Sequence, residues 1–232
     1  MKLALIGCGA MGRLVETLAV AAGDEVGSKV TSTDASKDAA QVATALRGHD
    51  VAIDFSVASA VLRNIEACAR AGVPLVEGTT GWVGNEAEAR RLIEAHQGAL
   101  VYGANFSIGV NVFYRIVSQA ARLMAGLDQY QAFMEEEHHA RKRDAPSGTA
   151  LKLKDLMSEH IKTEIPIASV RAGYIPGTHR VGFDSNADQI TLTHMARSRE
   201  GFAAGALLAA RWIVGRKGVC EFSDVMNEVL EK

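Results

Sequence analysis

His138, His139 and Lys142 stand close together in the run Glu135-Glu136-Glu137-His138-His139-Ala140-Arg141-Lys142-Arg143-Asp144-Ala145-Pro146-Ser147-Gly148-Thr149. An imidazole titrates near neutral pH and suits proton transfer. Arg141, Lys142 and Arg143 supply counter-charge for an anionic substrate. Ser147 fits a helix N-cap, so Gly148 and Thr149 would offer first-turn N–H groups to a carboxylate. Adjacent histidines on an extended chain point to opposite sides, which argues against both holding one metal ion. A solvated charged loop is the alternative for the same run, and the basic triad alone would also suit a phosphate.

A second chemical signal opens the chain. Gly7-Cys8-Gly9-Ala10-Met11-Gly12 is GxGxxG, set after an apolar run and before a helical pattern. Gly7 allows a tight turn, Gly9 lets backbone approach a pyrophosphate, and Gly12 allows close packing of helix on strand. The helix N-terminus then binds phosphate. In this context the motif predicts dinucleotide binding; a ligand-free turn is the bland alternative. NAD recognition wants an acid where the second strand ends. Here that strand runs into Thr31-Ser32-Thr33, and Asp34 comes late. Hydroxyls with Lys29 or Lys37 nearby could accept a 2′-phosphate, which favours NADPH or use of both NADPH and NADH; ordinary polar loop residues are the alternative. Gly78-Thr79-Thr80-Gly81 and Gly103-Ala104-Asn105-Phe106 follow later strands, where open α/β sheets bind ligands. Their small residues suit a nicotinamide ribose and amide, or simple turns.

The elements that must position these groups follow from periodicity. Leu3–Ile6, Val26–Val30, Val51–Phe55, Leu75–Val76 and Leu100–Tyr102 read as strands. Helices fall between them: one ending at Gly23, one capped by Ser59 and closed by Gly72, and one opened by an Asn85/Glu88 capping box. Strands and helices in alternation predict a Rossmann-like parallel sheet covered on both faces. After Asn105 the rhythm changes. A long amphipathic helix over 110–124, an extended 130–137, a helix over 147–161 and strands at 167–174, 180–184 and 189–196 predict an inserted α+β domain. Apolar helices at 202–214 and 223–230 would return to the first. The expected division is 1–106 plus 203–232 for the dinucleotide, and 107–202 for the rest.

Composition sets the outer limits. The 232 residues carry 25 Lys and Arg against 27 Asp and Glu, a net charge of −2, which leaves no excess charge for nucleic acid. With 48% hydrophobic and 22% charged residues the chain is of globular type. No run of about 18 apolar residues suggests a membrane span. Three scattered cysteines and an opening that enters a strand at once suggest a cytoplasmic protein.

The run His138-His139-x-x-Lys142-x-Asp144-Ala-Pro-Ser-Gly148-Thr149 resembles the signature of the dihydrodipicolinate reductase family of the diaminopimelate–lysine pathway. Gly78-Thr79-Thr80-Gly81, Ala104-Asn105-Phe106-Ser107-x-Gly109-Val110-Asn111, Arg171-Ala-Gly173-x-Ile-x-Gly177-x-His179 and Thr193-His194-x-Ala196-x-Ser198-Arg199 resemble that family too, in its order. The resemblance implies a reductase that passes a hydride from NADPH or NADH to a cyclic imine dicarboxylate. It implies His138 as proton donor, Lys142 as a second acid, and His139, Gly148 and Thr149 as substrate-binding. It implies that Gly7–Gly12, Gly78, Thr79, Thr80, Gly103, Ala104, Asn105 and Phe106 line the cofactor, with no metal, and that the inserted domain builds a homotetramer. Two departures bear on cofactor choice: a short first glycine loop and the missing acid. Another two-domain amino-acid or semialdehyde dehydrogenase, or a dinucleotide sensor without turnover, are the competing readings.

Overall fold

The structure is a computed structural model that describes residues 1–82 and 84–231. Two compact units make it up: Met1–Ile108 with Arg199–Lys232, and Gly109–Ser198.

The first unit is built on a six-stranded parallel sheet. Its strands are β1 (Lys2–Ile6), β2 (Glu25–Val30), β3 (Val51–Asp54), β4 (Leu75–Glu77), β5 (Ala99–Tyr102) and β10 (Gly218–Glu221). Their order is β10-β5-β4-β3-β1-β2, so the winding reverses beside β1. The connections are α1 (Ala10–Ala21), α2 (Ala39–Leu46), α3 (Val61–Ala71) and α4 (Glu86–Ala95); α7 (Glu200–Ile213) and α8 (Phe222–Leu230) complete the unit. β3 and β4 have no exposed residue, as a sheet covered on both faces requires. Helix α7 packs on α1, β3, β4 and β5, and α2, α3 and α4 pack against one another in sequence. Close approach is built in at Gly12, where an added Cβ would lie 2.0 Å from the Gly7 oxygen, and at Gly205, where it would lie 1.8 Å from the Phe106 oxygen.

Local expectations were corrected in several places. Ser59 caps nothing: it lies in a 3-10 turn, Ala58–Ala60, and α3 begins after Ala60 without a side-chain cap. Asn85 makes no capping box; its amide donates to the Trp82 carbonyl instead. Helix α2 and strand β10 were not anticipated.

The second unit has a mixed sheet of β6 (Gln131–His138), β7 (Ile167–Arg171), β8 (Thr178–Asp184) and β9 (Gln189–Met195), in the order β7-β6-β8-β9. β6 runs parallel to β7 and antiparallel to β8, and β8 is antiparallel to β9. Helices α5 (Ile108–Met124) and α6 (Gly148–Ser158) cover one face, giving a core of Phe113, Val117, Ala132, Met134, Leu153, Met157, Val181 and Phe183.

Candidate active site

In the first unit, Gly7 takes φ +83° and starts the turn into α1. An added Cβ there would strike the Phe55 carbonyl at 2.4 Å. Helix α1 begins at Ala10 with Gly9 as N-cap, no capping side chain and no acid in its first turn. Nothing lies within 4 Å of where a Gly9 Cβ would stand. An uncapped helix terminus with open space before it fits a dinucleotide pyrophosphate.

Two neighbouring clefts of about 580 and 590 Å³ open there. Gly9, Ala10, Met11, Gly78, Thr79, Thr80 and Ala104 line the first, with Ser56, Arg199 and Phe202, which sequence reasoning did not place. Gly7, Cys8 and Gly9 line the second, with Thr31, Ser32 and Arg63. Gly12, Gly103, Asn105 and Phe106 are not on either wall. Phe106 is buried, its ring centroid 4.6 Å from that of Phe222. Gly78 is small for another reason than close cofactor approach: an added Cβ would stand 2.2 Å from the Phe55 ring.

The two lysines considered for a 2′-phosphate are both engaged. Lys29 pairs with Glu16 at 2.6 Å and Lys37 with Asp34 at 2.7 Å. The acid missing from the end of β2 is returned to it by a 3-10 turn: the Thr31 N–H donates to the Asp34 carboxylate at 2.8 Å. Arg63 donates to the carbonyls of Asp34, Ala35 and Lys37 and so braces this loop.

In the second unit the alternation of β6 does the positioning. Ala132, Met134, Glu136 and His138 are buried in turn, so the period that buries two apolar side chains carries an acid and an imidazole onto the same face. Glu136 stands opposite His179 on β8, and His138 opposite Arg171 on β7. The Glu136 carboxylate meets His138 Nδ1 through one oxygen and accepts from Arg171 Nη2 at 2.5 Å through the other. Arg171 Nη2 also donates to the Asp144 carbonyl at 2.6 Å, tying the loop before α6 to the strand.

Electrostatics follow from these partners. Burial alone would raise the Glu136 carboxyl, but Arg171, Ser169 and His138 together outweigh it and hold the group below its usual range. Burial lowers His138, partly offset by Glu136. Burial, then the neighbouring His138, pushes His179 down to about 4. Its Nε2 shares a hydrogen bond of 3.0 Å with Ser147 Oγ. That hydroxyl is the N-cap of α6 and accepts from the Ala150 N–H at 3.2 Å. Gly148 and Thr149 therefore stand in the first turn of α6. Lys142 pairs with Asp144 at 2.9 Å, which holds that carboxyl low. Near His138 Nε2 the wall is Gly177, at φ +142°, where even a Cβ would come within 3.1 Å. The His139 side chain is half-buried and its Nδ1 has no partner.

Glu136, His138 and His179 offer ligand atoms within 4.8 Å of one another. The Arg171 guanidinium on the same carboxylate opposes a metal ion there. Sequence reasoning gave Glu136, Arg171 and His179 no role. Glu136 was findable, because it is two residues from His138 on an extended segment.

A parallel sheet that reverses at β1, a glycine turn into an uncapped helix and a separate acid–base cluster define a nicotinamide-dependent oxidoreductase. Residues 1–106 match the family description "Dihydrodipicolinate reductase, N-terminus" and residues 109–226 "Dihydrodipicolinate reductase, C-terminus". The chain is 36% identical to the 4-hydroxy-tetrahydrodipicolinate reductase of Christiangramia forsetii, over 100% of both chains. It is 37% identical to that of Archaeoglobus fulgidus, over 98% of this chain and 100% of the relative. Among solved structures, dipicolinate-bound dihydrodipicolinate reductase from Paenisporosarcina sp. TG-14 shares the fold. That match has TM-score 0.78 and 21% identity, over 97% of this chain and 99% of that one. The chain belongs to the dihydrodipicolinate reductase family. It is a reductase of diaminopimelate and lysine biosynthesis that uses NADPH or NADH.

Proposed function

We propose a division of roles for reduction of 4-hydroxy-tetrahydrodipicolinate. Gly7–Met11, Gly78–Thr80 and Ala104 would hold NADPH or NADH, which would supply a hydride for C4 of the cyclic imine left when the substrate loses water. His138 supplies the proton that the resulting enamine takes up. Glu136 accepts from His138 Nδ1 and fixes the ring, so that Nε2 is the atom offered to substrate. A burial-lowered imidazolium is the stronger acid, and the charges of an incoming dicarboxylate would help it hold the proton until needed. Lys142 is the second acid and counter-charge. His139 and the first-turn N–H groups of Gly148 and Thr149 hold a substrate carboxylate, and binding there would draw Lys142 from Asp144.

The observation that carries this reading is the buried Glu136–His138 pair beside the capped start of α6. A homotetramer is also proposed. It is supported by apolar residues left exposed on the mixed sheet, among them Val170, Ile190 and Met195. No described helix is long and apolar enough to cross a membrane, and the cysteines are free, which supports a reducing cytoplasm.

The test couples the upstream synthase, aspartate semialdehyde and pyruvate to this chain and follows oxidation of NADH and NADPH separately. Oxidation of at least one is expected; none would sink the reading. In the same assay His138→Gln should lower kcat by about 10²–10⁴-fold with cofactor affinity retained. Lys142→Ala should also lower kcat; a higher KM with kcat intact would reduce Lys142 to substrate binding.

A further inference from the structure

Asp54 ends β3 and Glu77 ends β4, directly opposite each other in register. Both side chains are completely buried. Among the described residues no Lys, Arg or His forms an ion pair with either. Asp54 accepts from the Ser56 N–H at 2.7 Å, Asn64 Nδ2 at 2.7 Å and Thr79 Oγ1 at 3.4 Å. Glu77 Oε1 accepts from the Thr79 N–H at 2.7 Å, while its Oε2 meets no donor. Directly paired residues of neighbouring strands carry their side chains on the same face, and both carboxyls accept from Thr79.

Two neighbouring carboxylates cannot both stay ionised in a buried site with no cation. One proton between them resolves the conflict. The donors gather on Asp54, so the charge belongs there and the proton belongs on Glu77 Oε2, the atom otherwise without a partner. Ser56 and Thr79, whose N–H and hydroxyl groups bind this pair, also line the cleft before α1. In a sheet that reverses beside β1, the β2 side takes the adenosine half of a dinucleotide, leaving the nicotinamide half to the β3–β4 side.

We propose that Asp54 and Glu77 are a proton-sharing pair that fixes one negative charge beneath the nicotinamide half of the cleft, favouring the cationic oxidised ring over the neutral reduced one. The proposal rests on reading the cleft as the cofactor site. Both acids are positioning residues: they act through Ser56, Thr79 and the field they set. A charge that stabilises the oxidised ring also stabilises the positive charge that grows on nicotinamide as hydride leaves.

The test is equilibrium binding of NADH, NAD⁺, NADPH and NADP⁺ to the full chain without substrate. Asp54→Asn should weaken the oxidised forms relative to the reduced ones by about tenfold. Glu77→Gln should keep the wild-type ratio, because its amide donates to Asp54 as the acid's proton does. An equal change for both redox forms in Asp54→Asn, or a shifted ratio in Glu77→Gln, would overturn the proposal. Should Asp54→Asn not fold, infrared spectroscopy decides: the wild type should show a protonated-carboxyl C=O band at neutral pH that Glu77→Gln lacks, and its absence overturns the shared proton. A wild type that binds no dinucleotide sinks the cofactor reading itself, and this proposal with it.

Discussion

Glu77 in the first unit and Glu136 in the second are equally hidden from water, yet their surroundings push them in opposite directions. Glu136 touches a guanidinium and an imidazole, and lies below the usual carboxylate range in spite of burial. Glu77 has an acid for a neighbour and, among the described residues, no ion-paired cation; burial first, then the charge of Asp54, push it well above that range. Burial sets a cost for charge, but the partner decides whether the charge survives. One acid is thereby fitted to orient a base, the other to keep a proton.

The largest test of this contrast is Glu136→Gln. An amide oxygen can serve Arg171 or His138 Nδ1 but not both, so the half-buried Arg171 loses its charged partner and the buried His138 its firm acceptor. We expect a loss of about 3–5 kcal/mol in stability and, because His138 loses its orientation, about 10²-fold in kcat. Urea titration and steady-state kinetics measure the two. A variant with near wild-type values on both would break the comparison.

A middle-sized effect is expected at His179, beside Glu136. Its folded pKa of about 4 lies below the ordinary 6.5. Between those values the unfolded ring takes a proton that the folded ring refuses, so its contribution to stability falls as pH drops from about 6.5 to about 4. Above 6.5 both states are neutral and it contributes no pH dependence. Replacement by Gln should flatten the fall of melting temperature across that window, by up to about 3 kcal/mol at the acid end. An unchanged slope would show that His179 is not held neutral.

The smallest effect, and the sharpest in sign, belongs to Glu77→Gln. A carboxyl with a raised folded pKa keeps a proton that the unfolded chain gives up. Its contribution is complete below the ordinary carboxylate pKa and is lost as pH rises. The variant has no such loss. Its melting temperature relative to wild type should therefore climb from acid to alkaline pH. A difference that stays flat, or runs the other way, would mean that Glu77 is ionised like Glu136.

Much of the fold was legible because it is written in local periods. The first five parallel strands, the glycine turn and the alternation of β6 all follow from neighbouring residues. Helix α2 was missed although Asp38 and Gln41 form a reciprocal cap at its start. Its own run, Ala39–Leu46, carries small residues that blur the apolar face. Strand β10 was missed for a nonlocal reason: Gly218–Glu221 becomes a strand by pairing with Ala99–Tyr102, more than a hundred residues earlier. At Ser59 and Asn85 the residue types suited caps, but a 3-10 turn and the Trp82 carbonyl took them.

The sequence by itself determined where a glycine turn opens a helix and which segment carries the imidazoles, because glycine spacing and period-two alternation act over a few residues. Only the tertiary structure decided which way each buried acid is pushed. Glu136 meets Arg171 from 35 positions away, and Asp54 meets Glu77 from the next strand of the sheet. A proton's free energy depends on burial and on partners within a few ångströms, and folding alone brings those partners together.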